Sequence, residues 1–295
     1  MADEPLTRIF RGAHDNELHA AAYGDPAGPP IVLVHGGGQT RHSWHGSAAR
    51  LANAGWYALA LDQRGHGDSA WDTEGRYHYD DFAGDIMRVT EQLADAPVLV
   101  GASLGGLACL LAEGLSGKPV ARALVLVDIA ARMDPDGARR IMDFMRARPD
   151  GFASLEEAAD AIAEYNPHRP RPQNPAGLAK NLRRGDDGRW RWHWDPRFMA
   201  VEGRPDAAQD RLDAAAEALR LPTLLVRGRE SDLLTEECVE HFLDRAPHTE
   251  FRDVSGAGHM VAGDRNDAFG DAMFSFLEGL PAADTVDPDA GLRIP

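Results

Sequence analysis

A serine between two glycines is the first group in the sequence with the surroundings of a nucleophile. Residues 101–105 read Gly-Ala-Ser-Leu-Gly, directly after the apolar run 98–100 and directly before a helix-like stretch of small residues. On a sharp strand-to-helix turn the serine hydroxyl is exposed, and glycines on both sides avoid clashes with the neighbouring strand and helix. The pattern predicts that Ser103 is a catalytic nucleophile, although a plain glycine-rich turn has the same composition.

Backbone amides for a developing oxyanion are predicted beside this serine. Residues 35–38 read His-Gly-Gly-Gly and follow the apolar run 31–34. A glycine loop at the end of a strand lets a substrate carbonyl approach a backbone N–H closely. We expect Gly37 to be the first donor, with Gly38 as the alternative, and Leu104, directly after the serine, to be the second.

Strand-like and helix-like segments alternate in the regions that must position these groups. The strand-like runs are residues 31–34, 57–61, 97–101, 123–127, 222–227 and 250–254. Helix-like stretches lie at residues 43–54, 80–93, 104–113 and 266–280. This alternation predicts an α/β fold with a mostly parallel sheet, because crossover helices must cover both faces. Residues 6–11 and 17–23 are predicted to form an N-terminal hairpin.

The alternation stops in the middle of the chain. Residues 130–219 contain helix-period segments, a Pro/Arg-rich stretch and a Trp-rich stretch, and the strand pattern resumes at residue 222. We therefore predict an α/β core formed by residues 1–129 and 220–280, with a mostly helical cap at 130–219 over the catalytic edge. Residues 281–295 are predicted to be a flexible tail.

Four motifs in this order make the chain similar to the α/β-hydrolase fold family. They are the segments 35–38, 62–69 (Asp-Gln-Arg-Gly-His-Gly-Asp-Ser), 101–105 and 256–259 (Gly-Ala-Gly-His). The resemblance covers nearly all of the chain. It implies a mostly parallel, twisted sheet flanked by helices, a cap inserted between late strands, and a triad in the order Ser, Asp or Glu, His. Arg64 and His66 are then expected to brace loops near the site.

The resemblance also implies the two partners of the serine. His259 is expected to be the catalytic base, because it follows the last strand on a glycine-rich loop. Many relatives carry the acid three residues after the glycine at 228, where this chain has Ser231. We expect Asp232, one residue further, to be the acid.

Two alternatives to Asp232 remain open at this point. Glu230 lies in the same loop, and Asp128 follows the strand-like run 123–127. A minority of relatives place the acid at the position of Asp128.

These roles predict a serine hydrolase that cleaves a carboxylic ester through an acyl-enzyme, with lactones or bulky esters among the expected substrates. No cofactor and no metal are expected. A cofactor-free perhydrolase or haloperoxidase, or a carbon–carbon bond hydrolase, would use the same triad, and a non-catalytic ligand receptor is a third alternative. Epoxide hydrolases and haloalkane dehalogenases of this fold use an aspartate nucleophile, so Ser103 argues against those activities.

Aromatic residues of the predicted cap are candidates for substrate binding. Trp190, Trp192 and Trp194 alternate with polar residues, so an extended segment would place them on one face, and Phe144 lies in a helix-like stretch. They are expected to form an aromatic wall for an apolar group, or else to pack the cap onto the core, which we favour.

Charge and cysteine content restrict the partners. The chain has 31 basic and 47 acidic residues, a net charge of −16, and two cysteines. Such a balance argues against nucleic acids and anionic membranes as partners. With no visible signal peptide or membrane span, we expect a cytoplasmic protein that acts on a small-molecule ester. Its oligomeric state is not predicted.

Overall fold

A twisted sheet of eight strands runs through the part of the chain that a computed structural model describes, namely residues 4–165, 171, 174–200, 209–256 and 266–281. Its strands are β1 (Leu6–Arg11), β2 (Glu17–Tyr23), β3 (Pro30–Val34), β4 (Tyr57–Leu61), β5 (Val98–Ala102), β6 (Ala123–Val127), β9 (Thr223–Gly228) and β10 (Glu250–Val254). A separate antiparallel hairpin is formed by β7 (Leu182–Arg184) and β8 (Trp190–Trp192).

The strand order is β1-β2-β4-β3-β5-β6-β9-β10. The pairs β1–β2 and β2–β4 are antiparallel, and every later pair of the sheet is parallel, which confirms the predicted α/β class. The central strands are buried on both faces, which explains why they are continuous apolar runs in the sequence. Because β3, β5 and β6 are neighbours, the loops after their carboxyl ends meet at one edge of the sheet.

Helices cover both faces of this sheet. They are α1 (His45–Asn53), α2 (Tyr79–Thr90), α3 (Leu104–Leu115), α4 (Pro135–Arg146), α5 (Leu155–Tyr165), α6 (Gln209–Ala218), α7 (Glu236–Arg245) and α8 (Asn266–Glu278). Apolar side chains of α1 and α8 pack on one face, and those of α2, α3, α6 and α7 pack on the other. Within the described ranges, no helix has the length and apolar character needed to cross a membrane.

The inserted region contains α4, α5 and the β7–β8 hairpin. Helix α6 lies within the range 130–219 that is predicted to be the cap, but it packs on α3 of the core through Leu212, Ala215 and Ala216, all of them buried. By its packing, α6 therefore belongs to the helical layer of the core.

Candidate active site

Ser103 lies on the sharp turn between β5 and α3. Its backbone angles, φ 47° and ψ −120°, fall in a region that non-glycine residues rarely adopt. The flanking glycines are required by close backbone approaches. A Cβ at Gly101 would lie 2.5 Å from the carbonyl oxygen of Gly105, and one at Gly105 would lie 2.5 Å from that of Val34. Backbone strain of this kind is concentrated at functional sites, where it presents a reactive group.

The glycine loop at residues 36–38 passes beside this turn. A Cβ at Gly36 would lie 3.2 Å from the Cβ of Ser103. The Gly36 amide donates to Oε1 of Gln39 at 3.1 Å, and the Gly38 amide donates to Nε2 of His66 at 3.1 Å.

Neither the amide of Gly37 nor that of Leu104, both near the serine, has an acceptor among the described residues. Leu104 is the first residue of α3, and the N–H groups of a first helical turn lack partners within the helix. These are the two amides that the sequence predicts as oxyanion donors. Gly38, the alternative donor, has its amide engaged by His66.

Asp128 follows β6 directly and lies beside the serine in strand register. Ala102 pairs with Val127 across β5 and β6, and the Ser103 amide donates to the Val127 carbonyl at 3.3 Å. Asp128 is fully buried and has a φ of 50°, so it is, like Ser103, a non-glycine residue with positive φ at this edge.

The carboxylate of Asp128 accepts hydrogen bonds from the neighbouring β9 segment. The Gly228 amide donates to Oδ1 at 2.9 Å, and the Ser231 hydroxyl donates to Oδ2 at 2.5 Å. The Ser231 oxygen in turn accepts from the amides of Leu233 and Leu234, both at 3.2 Å. The carboxylate is therefore held in one orientation, and a carboxylate can accept about four hydrogen bonds, so a further bond to an imidazole N–H is compatible with these two.

Asp232, the acid expected from the sequence, has different surroundings. Its side chain is 52% exposed and pairs with Arg140 of α4 at 2.7 Å. Glu230, the reserve candidate, is exposed in the same loop. A triad acid is ordinarily buried and hydrogen-bonded, so these positions favour Asp128 over both. His259, the expected base, lies outside the described residues.

Arg64 and His66, which are expected to brace loops near the site, are both buried and hydrogen-bonded. Buried Arg64 donates through Nε and Nη2 to the carboxylate of Asp85, each at 2.6 Å. His66 is buried between the loops that follow β3 and β4. In the described part of the chain, no group of three or more His, Cys, Asp or Glu side chains has the arrangement of a metal site.

Aromatic and methionine side chains of the insertion cover the glycine loop. Trp194 and Met145 lie 3.0 and 2.9 Å from the position of a Cβ at Gly38, and Phe198 lies 3.4 Å from that of a Cβ at Gly37. Phe198 was not identified from the sequence, because a lone Phe in a Pro-Arg-Phe-Met segment carries no pattern.

The four predicted substrate-binding aromatics differ in their contact with this loop. Trp192 stacks on Trp194 with ring centroids 5.0 Å apart, and Phe144 contacts Trp192 edge-on at 5.9 Å. Trp190 packs against a small apolar cluster around Phe152, which Trp192 also contacts. The structure thus brings Trp194 to the glycine loop, with Trp192 and Phe144 behind it, and leaves Trp190 packing within the cap.

Comparison with known proteins identifies the same fold and points to ester hydrolysis. A family model described as alpha/beta hydrolase fold matches residues 29–265. Esterase Rv0045c of Mycobacterium tuberculosis is 32% identical over 275 residues, which are 88% of this chain and 86% of that protein. The 3-hydroxybutyrate-oligomer hydrolase of Cupriavidus necator is 30% identical over 261 residues, 82% of this chain and 87% of that hydrolase.

Solved structures agree with this comparison. A structure of the M. tuberculosis esterase Rv0045c superposes with a TM-score of 0.74 at 28% identity, covering 94% of this chain and 93% of that one. E-2-(acetamidomethylene)succinate hydrolase superposes with a TM-score of 0.79 at 23% identity, covering 93% of this chain and all (100%) of that chain, which establishes likeness of fold alone.

Proposed function

The chain belongs to the α/β-hydrolase fold family and is a hydrolase that acts on ester bonds, and on this premise we propose that Ser103 is its nucleophile. The observation that carries the proposal is the strained turn of Ser103, which lies beside two amides, Gly37 and Leu104, that have no acceptor in the described part of the chain. Strain at the nucleophile together with donors for an oxyanion is the arrangement that acyl transfer requires.

The proposed reaction proceeds through an acyl-enzyme. Ser103 Oγ attacks the ester carbonyl carbon while its proton passes to His259, and the carbonyl oxygen becomes an oxyanion held by the Gly37 and Leu104 amides. Collapse of this intermediate expels the alcohol, which takes the proton from His259. Water then gives a proton to His259 and attacks the acyl carbon, and the carboxylic acid leaves as Ser103 recovers its proton.

We assign the acid of the triad to Asp128 in place of Asp232. The support is its burial, its register position beside Ser103 and the two donors that orient its carboxylate. An oriented carboxylate fixes the imidazole tautomer and stabilises the imidazolium that forms during attack. The exposed ion pair of Asp232 with Arg140 lacks these properties.

The side chains over the glycine loop support an apolar substrate group next to the reacting carbonyl. Phe198, Trp194 and Met145 are all buried and carry no charge. A wall of this kind gains stability by burying hydrocarbon and gives an anionic group no partner. We therefore propose esters with an uncharged aliphatic or aromatic acyl group as the substrate class.

The test is hydrolysis of p-nitrophenyl esters from acetate to decanoate, with a 3-hydroxybutyrate oligomer added because a relative is named for that substrate. Ser103→Ala is compared with the wild type and with Ser116→Ala, a serine at the other end of α3. We expect Ser103→Ala to lose activity by about 10⁴-fold or more and Ser116→Ala to keep it.

Labelling gives an independent measurement. An alkyl phosphonate should add covalently to the wild type and to Ser116→Ala, but not to Ser103→Ala. Equal hydrolysis by the wild type and Ser103→Ala would refute the assignment of the nucleophile. A folded wild type that hydrolyses none of these esters would refute the proposed substrate class.

A further inference from the structure

Three consecutive peptide groups of the glycine loop are each held by a buried histidine ring. The Gly36 carbonyl lies 2.8 Å from Nδ1 of His35, the Gly38 amide 3.1 Å from Nε2 of His66, and the Gly38 carbonyl 3.3 Å from Nε2 of His193. The first two histidines belong to the core, whereas His193 comes from the inserted region. We propose that His193 is a positioning residue for the oxyanion hole, so that the hole is complete only when the segment 193–195, directly after β8, is docked on the core.

The direction of the bond from His193 follows from its other contact. The Gly67 amide donates to Nδ1 of His193 at 2.8 Å, so that nitrogen is an acceptor and the ring proton of the neutral histidine lies on Nε2. Nε2 therefore donates to the Gly38 carbonyl. His193 is only 2% exposed, and burial, followed by the nearby His66, lowers its pKa to about 3, so the ring stays neutral near pH 7.

The Gly38 amide is fixed in the same way from the opposite side. Nδ1 of His66 lies 2.9 Å from the carbonyl of Arg64, so it is a donor, and Nε2 accepts from Gly38. The rings of His66 and His193 lie 5.7 Å apart, with Gly38 bonded to both. Gly38 has a φ of 76°, and the side chains of Trp194 and Met145 pack closely against it.

These contacts determine where the Gly37 amide points. In a trans peptide the C=O and N–H groups point in opposite directions, so the hydrogen bond from His35 to the Gly36 carbonyl sets the direction of the Gly37 N–H. The bonds to Gly38 prevent rotation of the following peptide groups, which would otherwise turn the Gly37 amide away from the serine. His193 thus acts on the reaction through Gly38 and does not touch the substrate.

The position of His193 is itself set by the docking of segment 193–195. The His193 amide donates to the Asn181 carbonyl at 3.2 Å, and the Asp195 amide donates to the Gly65 carbonyl at 2.9 Å. The Tyr77 hydroxyl donates to Oδ2 of Asp195 at 2.6 Å. The two hydrogen bonds of Asp195 join segment 193–195 to the region after β4, which leaves the ring of His193 little freedom.

Two substitutions separate the two hydrogen bonds of the ring. In His193→Asn the amide oxygen takes the place of Nδ1 and keeps the Gly67 contact, but nothing reaches Gly38. In His193→Gln the longer side chain reaches the Gly38 carbonyl and gives up the Gly67 contact. A matched control is His248→Asn, an exposed histidine bonded to the Leu221 carbonyl.

The experiment measures kcat and KM for a p-nitrophenyl ester and the affinity for a trifluoromethyl ketone, whose adduct with the serine carries an oxyanion. We expect His193→Asn to lower kcat by about 10–100-fold, less than the roughly 10²–10³-fold for deleting an oxyanion donor outright. KM should change by less than about twofold, and the ketone affinity should fall in parallel with kcat/KM. His193→Gln should recover most of kcat, and His248→Asn should match the wild type.

This inference rests on the proposed function, and the outcomes keep the two apart. If Ser103→Ala is inactive while folded His193→Asn keeps the wild-type kcat, the role of His193 is refuted and the proposed function stands. The role of His193 would also be refuted if His193→Asn and His193→Gln lost the same activity through a raised KM, while the ratio of ketone affinity to substrate affinity stayed unchanged. That result would mean that the substitutions disturb only the docking of the cap. Full activity of Ser103→Ala would overturn both.

Discussion

The assignment of the triad acid to Asp128 can be tested by exchanging one carboxylate for its amide. Asp128→Asn keeps an acceptor for the Gly228 amide, and asparagine tolerates the positive φ of this position better than other uncharged side chains. The fold should survive, because the change weakens a charge-assisted bond from Ser231 by only about 1–2 kcal/mol. Loss of a triad carboxylate lowers kcat by about 10⁴-fold, equivalent to roughly 5 kcal/mol of transition-state stabilisation.

The matched control is Asp232→Asn, the same chemical change in a side chain that is 52% exposed. It removes an ion pair with Arg140 that contributes about 0–1 kcal/mol, so kcat should stay within about threefold of the wild type. Steady-state hydrolysis of a p-nitrophenyl ester gives kcat for each variant, and urea denaturation gives its free energy of unfolding. A 10⁴-fold loss in Asp232→Asn with an active Asp128→Asn would refute the reasoning.

A double variant extends the test. Because the Ser231 hydroxyl lies 2.5 Å from Asp128 Oδ2, the carboxylate of Ser231→Asp would reach nearly the same point. Ser231→Asp alone places two carboxylates in contact, which is destabilising. Combined with Asp128→Asn, it should restore activity at least about tenfold over Asp128→Asn alone, because the two sites share partners and are not additive. No recovery in a folded double variant would show that the acid must come from β6.

Three further results are expected. Gly105→Ala should lower the free energy of unfolding by about 1–3 kcal/mol, because the new Cβ would lie 2.5 Å from a backbone oxygen. Gly177→Ala is the control, since a Cβ there has no neighbouring atom within 4 Å, and it should leave the free energy of unfolding unchanged. Urea titrations of both variants measure this difference. Acidification should destabilise the protein, because the pKa of His193 is about 6.5 in the unfolded chain and about 3 in the folded protein. Between these two pH values the unfolded chain binds more protons than the folded protein. Lowering the pH from 7 to 5 should therefore reduce the free energy of unfolding by about 2 kcal/mol. His193→Gln should remove the part of this pH dependence that comes from His193. Urea denaturation at pH 5 and pH 7 measures it, and the same pH dependence in His193→Gln and the wild type would contradict the prediction. Trp194→Ala should move the optimum of the ester panel towards longer or bulkier acyl groups, whereas Trp190→Ala should leave it unchanged; equal shifts would contradict the different positions of the two rings.

The core elements could be predicted because local pattern and tertiary environment agree there. The predicted runs 57–61 and 123–127 coincide with β4 and β6, since strands buried on both faces must be continuously apolar. The α7 helix, Glu236–Arg245, was not anticipated: its segment is rich in charged residues, and only Cys238, Val239 and Phe242 are buried. The β7–β8 hairpin was also missed, because strands of three residues leave too short a pattern.

The sequence predicts features of the candidate site that depend on backbone shape, but not those that depend on the direction of side chains. Gly101 and Gly105 indicate a tight turn, so the strained turn at Ser103 can be predicted from the sequence. Spacing after Gly228 cannot reveal that Ser231 points to Asp128 while Asp232 points to Arg140. The sequence also does not reveal that His193 contacts Gly38, because the two residues are 155 positions apart in the chain.

The parallel pairing of β6 and β9 explains why the acid can lie on either strand. Val127 pairs with Val226, and the Asp128 amide donates to the Val226 carbonyl at 2.7 Å, so the loops after both strands start side by side. A carboxylate after β6 and one three residues after Gly228 therefore converge on one point beside Ser103. In this chain the Ser231 hydroxyl occupies the second position and donates to the carboxylate that occupies the first. The residue that stands where many relatives have an acid is thus a hydrogen-bond donor to Asp128, the acid proposed here, which follows the neighbouring strand.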